Sequence, residues 1–306
     1  MEGMIMAERP TPPWADQIPE GSFISVAPTY KLGEYFSRFH KSEFTASDGT
    51  NMKYYWFDPT EYGYEKGGDY PVLIFLHGKS NALEGDICIN YTGAEMYASD
   101  SYQKTIGGAY ILIPLANEYR DAEGKVQGTW DKEYIEPLYE LMEAVIADRM
   151  NGRGIRFLFG NSAGARITFR FAEAHPEACN VLIPVGTMSI STDEDLDRME
   201  QHGVRIFYAE GKRDEFGNFE KDVVPRLPKL ASMKGNFLFN PEWVRNGDGG
   251  IASIIGGIEM GQHCLMNGVQ ANLMLDDGTP MDERLPHGLT GWIADTLREM
   301  REENNE

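Results

Sequence analysis

Gly160-Asn161-Ser162-Ala163-Gly164 places a serine between two glycines, each two residues away. The apolar run Arg156-Phe157-Leu158-Phe159 leads into it, and a segment with Ile167, Phe169, Phe171 and Ala172 runs from it to Pro176. A buried strand, a sharp turn and a helix is the expected local structure, with Gly-x-Ser-x-Gly on the turn. Such a turn forces the serine into a strained conformation and brings backbone against backbone, so the flanking positions must be small. Ser162 would then stand clear of the sheet at a helix N-terminus, where free amides and the helix dipole favour developing negative charge. The chemistry this suits is nucleophilic attack on a carbonyl, with the Ala163 N–H as one oxyanion donor.

A serine hydroxyl attacks only when an imidazole takes its proton, and a carboxylate must orient that imidazole. Candidates for both follow Ser162. The strand expected over Arg205–Glu210 runs into Gly211-Lys212-Arg213-Asp214-Glu215, which would deliver the Asp214 carboxylate to the sheet rim, with Glu210 and Glu215 as rivals. Six histidines compete for the base. His263, in Gly261-Gln262-His263-Cys264, follows an Ile-rich apolar segment, and His287 lies in Leu285-Pro286-His287-Gly288 before the last helix. His40, His175 and His202 fall ahead of a hairpin or at helix ends and read as structural. His77-Gly78 follows the run Pro71-Val72-Leu73-Ile74-Phe75-Leu76. The amide of Lys79, with Gly78 as the alternative, could face Ala163 as a second oxyanion donor, while His77 orders the loop. His77, Asn161, Trp130 and Tyr91 are the candidate pocket residues.

These positions need a sheet to hold them. Ser42–Ala46 and Asn51–Phe57, joined by Ser47-Asp48-Gly49-Thr50, read as an antiparallel hairpin at a sheet edge. Near-continuous apolar runs at Val72–Leu76, Ala109–Pro114, Arg156–Phe159, Asn180–Val185 and Val204–Ala209 read as strands covered on both faces. Helices are expected over Asp131–Met150, after the serine, over Asp193–Gln201 and over Leu289–Met300. The segment Ile251–Ile258 reads as the last strand, and residues 214–250, with Pro225, Pro228 and Pro241, as an insertion that could cover the site. Residues 1–41, with Pro10, Pro12, Pro13 and Pro19 and a short strand at Phe23–Val26, form an arm ahead of a single domain over 42–306. The alternation predicts an α/β fold: a mostly parallel central sheet, helices on both faces, an antiparallel edge hairpin. Reactive groups gather at the carboxyl ends of such strands.

Composition narrows the partners. With 48 Asp and Glu against 28 Lys and Arg the net charge is −20, which repels nucleic acid and anionic membranes. No run of about 18 apolar residues is present, so no integral membrane segment is expected, and the first residues do not read as a secretory signal. Cys88, Cys179 and Cys264 are odd in number and widely spaced, which argues against a disulfide framework or a zinc knuckle. Oligomeric state and compartment are not legible.

Taken together, Leu76-His77-Gly78, Gly160-Asn161-Ser162-Ala163-Gly164, Gly211–Asp214 and Gly261-Gln262-His263, in that order, resemble the α/β-hydrolase superfamily. More narrowly they resemble its esterase branch, with feruloyl esterase and polyhydroxybutyrate-depolymerase-like members. The edge hairpin followed by Tyr70-Pro71-Val72-Leu73-Ile74 and His-Gly is usual there and in prolyl-peptidase catalytic domains. The match covers roughly 42–300 and departs from the usual pattern at Ala165-Arg166 and in the length from Asp214 to His263. The resemblance implies Ser162 as nucleophile, Asp214 as acid and His263 as base, with Ala163 and Lys79 shaping an oxyanion hole. It implies a small-molecule or carbohydrate-linked ester substrate, with no metal or organic cofactor. A serine peptidase of the same fold and a binding protein without turnover are the alternatives.

Overall fold

The computed structural model describes residues 33–150, 154–242, 254–255, 258–259, 262–263, 265–274 and 278–303. Eight strands form one sheet: β1 (His40–Thr45), β2 (Asn51–Phe57), β3 (Val72–Leu76), β4 (Tyr110–Pro114), β5 (Arg156–Asn161), β6 (Val181–Val185), β7 (Arg205–Ala209) and β8 (Phe237–Phe239). Their spatial order is β1-β2-β4-β3-β5-β6-β7-β8. β1 pairs antiparallel with β2, and β2 with β4. From β4 to β8 every neighbouring pair is parallel. The expected architecture is thus the observed one. The hairpin turn is closed by Gly49 at φ +89° and by Asp48, whose carboxylate accepts from the Thr50 amide.

Alternation along each strand sorts the core into two layers. Leu112, Ile74, Leu158, Leu182 and Ile206 face one side, where α2 (Ile135–Met150), α3 (Ala163–Ala174) and α4 (Asp193–Gln201) bring Leu138, Met142, Ile167, Phe171 and Leu196. Ile111, Leu73, Phe75, Phe157 and Ile183 face the other. There α1 (Asp100–Ile106) and α5 (Gly288–Glu303) supply Ile106, Leu289, Ile293 and Leu297.

Two expectations are corrected. The described part of the Ile251–Ile258 segment does not continue the sheet. Ile254–Ile255 and Ile258–Glu259 pair with each other in a separate two-stranded ribbon. The last strand of the sheet is β8, inside the stretch read as an insertion, parallel to β7 with Leu238 opposite Tyr208. β8 is only three residues long and lies among prolines, so the pattern of strand signals passes over it. The Pro-rich stretch up to Pro19 and the Phe23–Val26 strand lie outside the described residues, as does Cys264, while His40 and Lys41, at the end of the expected arm, belong to β1. Cys88 and Cys179 are buried free thiols. Among the described residues no helix is long and apolar enough to cross a membrane.

Candidate active site

Ser162 lies between β5 and α3 at φ 55°, ψ −110°. That conformation costs on the order of 1–3 kcal/mol for a residue with a side chain. Ile167 and Phe169 on α3 are buried to 2% and 1% exposure, and each contributes about 1.5–3 kcal/mol. Packing of the following helix therefore outweighs the strain at its start. The two glycines are steric necessities. A Cβ on Gly160 would lie 2.3 Å from the Gly164 carbonyl oxygen, and one on Gly164 would lie 1.9 Å from that of Leu76. The second contact seats the serine turn on the end of β3. Gly164→Ala is expected to destabilise the protein by about 1–3 kcal/mol or more, lowering Tm by several degrees in thermal unfolding. An unchanged Tm would mean that β3 and α3 separate without penalty.

The Ser162 amide donates to the Val185 carbonyl at the end of β6 (2.9 Å). The next residue, Gly186, supports the imidazole of His263: a Cβ there would come within 3.3 Å of its Cε1. Ser162 and His263 thus meet adjacent residues of one strand end. Asp214, on the turn after β7, receives the His263 Nδ1–H on Oδ2 at 2.5 Å, and its Oδ1 accepts from the Phe216 amide at 2.8 Å. Glu215 holds the other half of the same histidine loop. Its two oxygens accept from the backbone N–H groups of Gln262 (3.2 Å) and His263 (3.1 Å). One carboxylate fixes the ring and its neighbour fixes the backbone. With Nδ1 committed to Asp214, Nε2 of the neutral ring is the nitrogen left to accept a proton. The Phe216 ring, 53% exposed, packs edge-on against this imidazole with centroids 4.7 Å apart.

Of the two histidines weighed as base, His263 is the one that meets Asp214. His287 is exposed at the start of α5, where its carbonyl accepts from Asn272 and Gly291. His175 stacks on Tyr139 and pairs with Glu136, and His40 pairs with Glu61.

The loop after β3 is built from beneath. His77 is fully buried. The Ala116 N–H donates to its Nε2 (3.0 Å), so Nδ1 carries the proton and donates to the Gly78 carbonyl (2.7 Å). Burial pulls the His77 pKa down and keeps the ring neutral. Trp130, 1% exposed, donates its indole N–H to the His77 carbonyl (3.0 Å). Both side chains lie below the loop. Above it, a Cβ on Gly78 would sit 3.4 Å from Asn161 Nδ2, which itself donates to the Tyr91 carbonyl (3.3 Å). Gly78, Asn161 and the 45% exposed Tyr91 therefore border the serine turn. Lys79 is exposed, and Ser80 follows at φ 75°. Glu118 then clamps the loop, accepting from the amides of Ser80 (3.0 Å) and Ala82 (3.2 Å).

No known family profile matches the chain, and no curated protein does. Solved structures do. Over 76% of this chain and 60% of the other, the fold is similar to that of a thermostable esterase, at 17% identity and TM-score 0.54. It is also similar to a feruloyl esterase module from Clostridium thermocellum, an S954A mutant complexed with sinapinate. That match has 11% identity and TM-score 0.53 over 83% and 95% of the two chains. The chain has the α/β-hydrolase fold. At these identities the likeness is one of architecture, and the thermostable esterase extends well beyond the matched part.

Within this α/β-hydrolase sheet, the residues described above lie at the carboxyl ends of β3, β5, β6 and β7. Burial alone would raise the Asp214 carboxyl. The hydrogen bond and charge of His263, with the Phe216 amide, outweigh it and hold the group below the ordinary aspartate range. Burial raises Glu215. Glu118, Gly186 and Phe216 were not singled out by sequence reasoning. Glu118 contacts the loop from 36 and 38 residues away, and no local motif marks it.

Proposed function

We propose that this chain is a serine hydrolase that cleaves a carboxylic ester through an acyl-enzyme. What carries the reading is the imidazole of His263, held by Asp214 over the strand end where the strained Ser162 emerges. Ser162 Oγ attacks the carbonyl carbon while His263 Nε2 takes its proton, and the amides of Ala163 and Lys79, or of Gly78, receive the charge on the carbonyl oxygen. His263 then gives the proton to the departing alcohol, and a water repeats the sequence to release the acid. Asp214 holds the tautomer and stabilises the imidazolium. Ester substrates are favoured because the chain shares its architecture with esterases, one of them a feruloyl esterase module. A small-molecule or carbohydrate-linked ester suits a site bordered by exposed Tyr91 and Phe216.

A fluorophosphonate probe tests this directly. Labelling of the wild type that is lost in Ser162→Ala supports the hydrolase, whereas an unlabelled wild type indicates a binding protein. Cleavage of peptide anilides but not of esters would make it a peptidase. Glu118→Ala is expected to free the Ser80 and Ala82 amides and misplace the loop that carries Lys79. The cost in kcat should approach the roughly 10²–10³-fold of a missing oxyanion donor. Steady-state turnover of a p-nitrophenyl ester measures it, and an unchanged kcat would detach that loop from the reaction.

A further inference from the structure

Glu210 directly follows β7, and its backbone is pinned on both sides. Its N–H donates to the Phe239 carbonyl (3.1 Å), and the Asn240 side-chain amide donates to its carbonyl (3.1 Å). The side chain is completely buried. Among the described residues, no N–H or O–H group meets either of its carboxyl oxygens with hydrogen-bond geometry. No Lys or Arg pairs with it there either. The ionisable groups acting on it are Asp214, on the turn it leads into, and Tyr208, near the end of β7. His263 lies beyond Asp214, and the Gly211 amide is the single favourable dipole acting on it. A carboxylate in that setting would be an uncompensated buried charge beside another carboxylate. The same group in its neutral form is an O–H donor, and Asp214, four residues on in the turn after β7, is the carboxylate acting on it.

We propose that Glu210 is a positioning residue: completely buried and without another partner among the described residues, it donates a carboxyl O–H to Asp214 and holds that carboxylate aimed at His263. Asp214 is then met by three donors, namely His263 Nδ1–H, the Phe216 amide and the Glu210 hydroxyl. That coordination explains how a carboxylate 7% exposed stays charged. Burial first, and the Asp214 charge second, push the Glu210 carboxyl well above its ordinary range. Glu210 and Asp214, rivals for one role in the sequence, thus take successive places in one chain of hydrogen bonds.

The effect on rate rests on the Ser162–His263–Asp214 reading, while the placement of the proton does not. Two variants separate the possibilities. Glu210→Gln keeps shape and donor. Glu210→Met keeps volume and removes the donor. With a p-nitrophenyl ester, Glu210→Gln is expected to retain kcat/KM within about 3-fold and to leave the acidic limb of its pH profile in place. Glu210→Met should lower kcat by about 10- to 100-fold, the worth of a hydrogen bond to a charged group, with KM little changed. If Glu210 is instead an anion, Glu210→Gln removes a charge that favours the imidazolium. The acidic limb then falls by about one pH unit, and the proposal is overturned. A Glu210→Met enzyme with wild-type kcat overturns it equally. Thermal unfolding reads the proton without any turnover. A carboxyl raised on folding stabilises the wild type fully below the ordinary glutamate value of 4.5, and that stability is lost as pH climbs toward the folded value. The Tm of Glu210→Gln minus that of the wild type should therefore grow with pH above about 4.5. A constant difference rejects the neutral carboxyl, even if Ser162→Ala shows that the hydrolase reading has failed.

Discussion

Ser162→Ala is expected to lower kcat for an ester by about 10⁴–10⁶-fold, leaving the remainder to the oxyanion donors and to binding. The prediction is sharp because Ser162 does little else. Its hydroxyl makes no capping bond to α3, and its amide bond to Val185 is made by the backbone, which alanine keeps. The backbone strain at φ 55° is also shared by any residue with a Cβ. The Tm should consequently stay within about a degree of wild type while turnover disappears. A variant that keeps more than a few per cent of the wild-type kcat would transfer the chemistry to another group, and a large fall in Tm would mean the hydroxyl serves the fold.

Asp214→Asn is expected to cost about 10⁴-fold in kcat with KM nearly unchanged. In the wild type Oδ2 accepts from His263 Nδ1 at 2.5 Å, which leaves Nε2 free of its proton. The asparagine amide can turn its NH₂ toward Nδ1 instead, placing the ring proton on Nε2, where it cannot receive one from Ser162. The same substitution has a signature in stability. Asp214 is held below the ordinary aspartate value of 3.8, so its contribution is present above that value and is lost as pH falls through the folded pKa. The stability gap between wild type and Asp214→Asn should therefore shrink as pH drops below about 4. Thermal melts across pH 3–7 beside ester kinetics check both parts, and a gap that widens on acidification would mean that Asp214 is not an ionised partner of His263.

How far the chain could be read depended on the range of the interactions involved. The serine turn is local: a strand, two obligatory glycines and a helix within nineteen residues, from Arg156 to Ala174, each dictated by the next through hard-sphere contact. The edge hairpin is equally local, its register set by Asp48-Gly49. β8 failed as a local object because three residues between prolines carry no period. The Ile-rich segment after it looked like a strand, but apolar β-branched composition does not say which edge a strand will join.

The amino-acid sequence by itself determined the α/β layering, the serine turn and a short set of acids and histidines able to serve it, because periodicity and backbone sterics act over a few residues. Only the tertiary structure decided that His263 rather than His287 meets Asp214, that Glu215 holds the same loop, that Glu118 clamps the turn after β3 and that Glu210 is shut in beside Asp214. Each of those choices depends on which strand ends lie side by side. That order is set by burial of two apolar layers across the whole sheet, and no neighbourhood of the chain contains it.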